Sequence, residues 1–189
     1  ADHASMGLEQ HRRDAPASLR FAVVTISDTR DASTDRGGDY LVESLEGAGH
    51  AVARREIVPD RERDIVVAVR SAAADPGVDL VLTTGGTGGA PRDVAFDTLR
   101  GIFDSEVPGF GGLFRWLSYA EIGSAAILSR AVGGLVKGKV VLAMPGSPKA
   151  LKLAMEKIVL PEAGHLAGQT RPAAEPTGSA GSAQDGGRS

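Results

Sequence analysis

Residues 80–93 read Leu80-Val81-Leu82-Thr83-Thr84-Gly85-Gly86-Thr87-Gly88-Gly89-Ala90-Pro91-Arg92-Asp93, and their character changes halfway. The first part is a short continuous apolar run, as expected for a strand covered on both faces. The second part packs poorly as a core and does not continue a strand. Glycine permits positive φ and close approach of backbone amides to a ligand. Successive amides in such a turn form an anion nest, and a following helix N-terminus adds partial positive charge. The stretch therefore reads as a strand, then a phosphate-suited loop, then a helix. The alternative is a tight strand-to-helix turn with no ligand.

Working outward, four runs read as strands: Phe21–Ile26, Ala51–Val58, Asp79–Thr83 and Lys139–Met144. The first, third and fourth are continuously apolar. The second alternates and belongs near a sheet edge. Between them lie helical stripes. Tyr40, Leu41, Ser44 and Leu45 form one, closed by Gly47-Ala48-Gly49; Ile65, Val66, Val69 and Ala73 form another, closed by Asp75-Pro76-Gly77. Further helices are expected over 94–104, 110–121 and 149–167, the last interrupted at Pro161. Strands alternating with helices predict an α/β fold with a parallel sheet and right-handed crossovers.

The chain has 189 residues, which suits one domain with tails. Residues 1–17 and 171–189 read as disordered tails around a domain over 18–170, because neither end has the apolar side chains to offset ordering entropy. The formal net charge is -3 and basic residues are scattered, which argues against a nucleic-acid partner. No apolar run approaches the roughly 20 residues of a membrane helix, so no membrane partner is expected. The absence of cysteine excludes disulfides and thiolate metal sites and fits a cytoplasmic location. His3, His11, His50 and His165 are far apart and show no metal-ligand spacing.

Chemistry concentrates where strands end. The first strand runs into Ser27-Asp28, the second into Pro59-Asp60, the third into Gly85-Gly86-Thr87-Gly88, and the fourth into Pro145-Gly146-Ser147. In open parallel sheets the carboxyl ends of the strands line the ligand crevice. The glycine loop is not a dinucleotide motif, since Pro91 stands where the third glycine belongs. A second glycine run, Gly133 to Lys139, has the spacing of a P-loop. However, Val140 stands in place of Ser or Thr, and the run leads into a strand instead of a helix. Asp60 and Asp93 each precede a predicted helix. Each reads either as a cap worth about 1 kcal/mol or as a carboxylate holding hydrated Mg²⁺ against ligand phosphates. Asp28 is equally a turn residue.

Together, these residues resemble the molybdopterin-binding family, which includes molybdopterin adenylyltransferases and molybdenum cofactor biosynthesis B proteins. The matching stretches are Thr25 to Asp28, Val58 to Asp60, Thr83 to Gly88, Pro91 to Val94, Glu106 to Phe110, Leu128 to Ala131 and Met144 to Ala150. They occur in the family's order and cover the predicted core. The run Phe114 to Gly123 resembles the B-protein branch. In place of the family's Thr-Pro after Pro-Arg-Asp-Val, this chain has Ala95-Phe96, which would shift the helix cap to Asp93.

The resemblance implies a three-layer α/β/α fold with a mostly parallel sheet, assembled as a homotrimer or homohexamer. It implies binding of molybdopterin and, in catalytic members, adenylylation of its phosphate by Mg-ATP with release of pyrophosphate. The implied catalytic and Mg²⁺-handling residues are Asp60 and Asp93. The implied binding residues for molybdopterin and ATP include Gly85, Gly86, Thr87, Gly88, Pro145 and Gly146. Ser27, Asp28 and Ser147 would orient the ligands. Arg130 would clamp a phosphate or form a structural ion pair. The alternative is a carrier that binds molybdopterin without adenylylating it. The segment holding Phe110, Phe114, Trp116 and Tyr119 reads as core packing, or as an oligomer contact.

Overall fold

The continuous apolar runs become the centre of a six-stranded sheet in the order β2-β1-β3-β6-β5-β4. The structure, a computed structural model, describes residues 18–86 and 94–168. The strands are β1 (Arg20–Ile26), β2 (Ala51–Val58), β3 (Leu80–Thr84), β4 (Ser105–Glu106), β5 (Val132–Val136) and β6 (Lys139–Met144). β1 pairs in parallel with β2 and β3, and β3 with β6. β5 is antiparallel to both β6 and β4. The alternating strand, β2, lies at the edge, as its half-exposed pattern requires.

Both faces are covered, which explains the lack of alternation in β1, β3 and β6. Phe21 and Val23 of β1 pack with Leu80, Leu82, Leu142 and Met144 against one helical layer. That layer consists of α1 (Arg36–Gly47), α4 (Pro108–Ile122), α5 (Pro148–Ala154) and α6 (Leu160–Gly168). Ala22, Val24 and Ile26 face the other way with Val81, Val141 and Ala143. They meet α2 (Glu62–Ala74) and α3 (Ala95–Ile102) through Ile65, Val69, Ala95 and Leu99. The result is a three-layer α/β/α sandwich with a mixed, mostly parallel sheet.

Two features depart from expectation. The glycine run at 133–139 leads into a strand, as expected, but it also holds one beyond the four expected: Val132–Val136 is β5, Lys137 and Gly138 turn with φ of 50° and 73°, and Lys139 opens β6 in a β-hairpin. This is the positive-φ pair that a tight hairpin demands. The glycines inside β5 make room for neighbouring side chains. A Cβ on Gly134 would stand 2.2 Å from the Phe103 ring, and one on Gly133 would stand 2.9 Å from Leu142. Second, the C-terminal helix is not interrupted at Pro161. A π-helical turn at Met155–Val159 joins α5 to α6, with Leu160 N–H donating to Met155 C=O. Proline lacks a donor and crowds the preceding turn's carbonyl; widening that turn lets the helix pass through it.

Candidate functional site

β1 sits between β2 and β3, although β2 and β3 are the next two strands in sequence. The chain leaves β1 to one side and later returns on the other. This opens a crevice at the carboxyl ends of β1 and β3. Thr25 and Thr84 are register partners there, and both line a cleft of about 250 Å³ with Ser27, Asp35, Gly37, Gly85, Gly86 and Gly146.

The glycines of this cleft are required by contact. Gly85 has φ of 89°, and a Cβ on it would lie 2.3 Å from the Ile26 carbonyl oxygen. Gly86 has φ of 60°, and its Cβ would lie 2.8 Å from Ile26 Cγ2 and 3.0 Å from Asp60 Oδ2. The Asp60 carboxylate therefore stands directly beside the glycine turn. A Cβ on Gly146 would approach Gly85 Cα at 3.3 Å, and the Thr84 hydroxyl donates to the Pro145 carbonyl at 3.4 Å. The loops after β1, β2, β3 and β6 thus touch one another around bare backbone.

Asp60 and Asp28 are also brought together. Asp60 N–H donates to Asp28 Oδ1 at 3.0 Å, and Ser27 N–H donates to the Val58 carbonyl at 2.9 Å. Asp28, Asp31 and Asp60 line a cavity of about 680 Å³ flanking the cleft on the β2 side. Ser27 Oγ accepts from the Thr29 and Arg30 amides, so its hydroxyl shapes the turn that it occupies. Ser147 caps α5, accepting from Ala150 N–H at 3.3 Å, and also lines a cavity of about 480 Å³ on the β6 side. Arg130 lines that same cavity. Its guanidinium stacks 4.5 Å above the Phe96 ring and reaches Asp97 at 3.4 Å. Both roles expected for Arg130 are therefore open to it. Thr87, Gly88 and Asp93 lie outside the described residues. α3 begins at Ala95 with Val94 at its boundary.

Among the described residues, no group of three His, Cys, Asp or Glu is arranged to hold a metal ion by itself. Mg²⁺ on a phosphate ligand needs only one or two carboxylates, with phosphate oxygens and water completing the shell. Asp60, beside a cradle that a Cβ would fill, fits that requirement. No helix among the described residues is long and apolar enough to cross a membrane.

One central residue escaped the sequence reading. Asp35 is fully buried on the cleft wall. It accepts from Gly38 N–H at 2.9 Å, from the Thr25 hydroxyl at 2.8 Å and from Arg55 at 3.0 Å. Arg55 also bridges Asp39 at 2.8 Å. Burial by itself would raise the carboxyl pKa; the Gly38 amide, Arg55 and Thr25 together outweigh it and hold the pKa below its ordinary value. The legible signal was the pair Gly37-Gly38 after an aspartate. A Cβ on Gly38 would collide with the Asp35 carboxylate at 2.0 Å.

Residues 22–165 match the family described as "Probable molybdopterin binding domain". The chain is 49% identical over 162 residues to the molybdenum cofactor biosynthesis protein B of Bacillus cereus, covering 85% of this chain and 96% of that protein. It is 44% identical over 167 residues to the protein of that name from Bacillus subtilis, covering 88% and 98%. A crystal structure of a molybdenum cofactor biosynthesis protein B superposes with a TM-score of 0.80 at 49% identity, covering 83% of this chain and 98% of the other. The tungsten cofactor synthesizing protein MoaB of Pyrococcus furiosus superposes with a TM-score of 0.74 at 34% identity, covering 84% and 100%.

Proposed function

The chain belongs to the molybdopterin-binding family, and from that premise we propose that it serves molybdenum cofactor biosynthesis by adenylylating the phosphate of molybdopterin. The carrying observation is the contact between the Asp60 carboxylate and the positive-φ Gly85–Gly86 turn at the β1/β3 crevice. Backbone that excludes side chains beside an oriented carboxylate suits two phosphates and a divalent cation better than it suits an apolar ligand.

In the proposed reaction a phosphate oxygen of molybdopterin attacks the α-phosphorus of ATP. The new O–P bond forms as the bond to the β-phosphate oxygen breaks, and pyrophosphate departs with that electron pair. Both reactants are anions, so positioning and charge neutralisation are the main requirements. The Gly85 and Gly86 backbone admits one phosphate. Asp60 would hold Mg²⁺, which supplies charge neutralisation at the phosphate oxygens. Asp28 fixes the Asp60 backbone through its 3.0 Å hydrogen bond. Asp93 is the second carboxylate implied by the family resemblance.

The test is pyrophosphate release from ATP in the presence of molybdopterin, read alongside Asp60→Asn. Asn is close to Asp in shape and deletes the charge. Loss of one oriented charge contact costs about 10²–10³ in rate. We expect the variant to fold, to bind molybdopterin and to lose turnover by that factor, with partial recovery at higher Mg²⁺. A wild-type protein that binds molybdopterin but releases no pyrophosphate would leave the carrier role instead.

A further inference from the structure

The central cleft, at about 250 Å³, is too small to hold a nucleoside triphosphate and a second substrate by itself. The ligands must extend into neighbouring cavities. On the β2 side the neighbour carries the carboxylates of Asp28, Asp31 and Asp60 together with Arg30 and Arg61. On the α1 and α5 side the neighbour is a cavity of about 700 Å³ whose charged residues are all basic. It is lined by Arg30, Arg36 and Lys152, with the hydroxyl-bearing Thr34 and Tyr40, and no carboxylate lines it. It shares Arg30 and Gly37 with the central cleft, so the two are continuous.

The arginines of this cavity are not engaged elsewhere. Among the described residues, the side chains of Arg30 and Arg36 make no hydrogen bond or ion pair; the same holds for Arg61, Arg63, Arg70 and Arg115, but only Arg30 and Arg36 share a cavity that no carboxylate lines. Lys152 has only an exposed bridge to Glu156 at 3.8 Å. Two unengaged guanidiniums and an ammonium around one cavity, opening onto a phosphate-suited turn, match a highly charged anion. We propose that this cavity is a diphosphate subsite. It receives the β- and γ-phosphates of the nucleotide and then the pyrophosphate that they become. This assignment rests on the adenylyl-transfer reading: all three carboxylates of Asp28, Asp31 and Asp60 lie on the β2 side, the α1 side carries cations without a carboxylate, and Arg30 lines both.

The experiment is calorimetric titration of the full-length protein, and of Arg30→Gln and Arg36→Gln, with inorganic pyrophosphate, ATP and AMP at fixed Mg²⁺. Both arginines are exposed and unengaged, so both variants should keep the wild-type melting temperature. The expected result is a rise of about tenfold or more in the Kd of pyrophosphate and of ATP in each variant, with AMP unchanged. No pyrophosphate binding by the wild type overturns the subsite. So does pyrophosphate affinity indifferent to both substitutions, and so does AMP weakened as much as pyrophosphate. A wild type that binds pyrophosphate through these arginines yet adenylylates nothing would retire the activity and leave the subsite standing.

Discussion

A methyl group at Gly86 would meet Ala95 Cβ at 2.7 Å and Ile26 Cγ2 at 2.8 Å, on backbone with φ of 60°. Any substitution there strains the fold as well as the cradle, by about 1–2 kcal/mol for the left-handed backbone alone. Gly146 separates the two effects better. Its φ is outside the left-handed region, and its Cβ would press only on the Gly85 backbone, at 3.3 Å. Gly146→Ala should therefore shift the melting temperature by only a few degrees while raising the Kd of ATP about tenfold, or roughly 1.4 kcal/mol. Unchanged affinity would remove the Pro145-Gly146 turn from the site. Asp35 carries a different expectation. Its pKa is depressed in the folded state, so its contribution is fully present above the unfolded value near 3.8 and is lost as pH falls through the folded value. Asp35→Asn keeps the capping oxygen and removes the charge facing Arg55. It should lower stability at pH 7 and flatten the acid limb of the stability curve below about pH 4. Asp35→Ala should cost about 3 kcal/mol, the lower end for breaking a buried pair, because Arg55 retains Asp39. Urea unfolding at pH 7 and pH 3 reads both effects. A wild type equally stable at the two pH values would contradict the assignment.

At the scale of elements, the start of α3 shows how a local departure is compensated. The family's Thr-Pro is replaced by Ala95-Phe96, and Val94 at the boundary offers no capping oxygen. Ala95 is fully buried against Gly86, where a larger residue would not fit. Phe96 lies beneath Arg130 at 4.5 Å and near Arg100 at 5.9 Å, tying α3 to the segment that enters β5. Phe96→Ala should cost about 1–2 kcal/mol from the cation–π contact and lost packing. That corresponds to a drop of several degrees in thermal unfolding. A melting temperature within one degree of wild type would show that Phe96 does not anchor α3. β5 was hidden in the sequence for a related reason. Its Gly133-Gly134 pair has no apolar signature, because Phe103 and Phe110 supply the side chains for that stretch from elsewhere in the chain. No window of local sequence records such a contact.

For the molecule as a whole, α4 divides its aromatics. Phe110 and Phe114 are buried, while Trp116 is 70% and Tyr119 64% exposed. Ile122 at 52%, with Ile127 and Leu128 above 80% on the following 3₁₀ turn (Gly123–Leu128), extend an apolar surface. Such an exposed patch marks an interaction site. The aromatic segment, read from sequence as core or contact, is thus core at two positions and surface at two. We expect this face to be the subunit contact of the homotrimer or homohexamer implied by the family. Trp116→Glu should convert the trimeric or hexameric mass seen by light scattering to a monomeric one. A monomeric wild type across the micromolar range would overturn the expectation.

The sequence by itself determined the parallel strands, the loops that follow them and the family. These depend on local patterns: continuous apolar runs, glycine clusters and aspartates at strand ends, each readable within about ten residues. Ser27, Asp28, Asp60, Gly85, Gly86 and Gly146 were legible in this way and line the crevice and its β2-side flank, with Pro145 tied to it through Thr84. Only the tertiary structure decided the rest. The Asp35–Arg55 pair joins residues 20 apart through burial. The unengaged state of Arg30 and Arg36 is visible only once every neighbouring carboxylate has its place. Strand β5 and the passage of the helix through Pro161 depend on neighbours that fill a missing side chain or on a turn that widens. Propensity is local, whereas charge pairing and volume filling are settled between segments that sequence separation keeps apart.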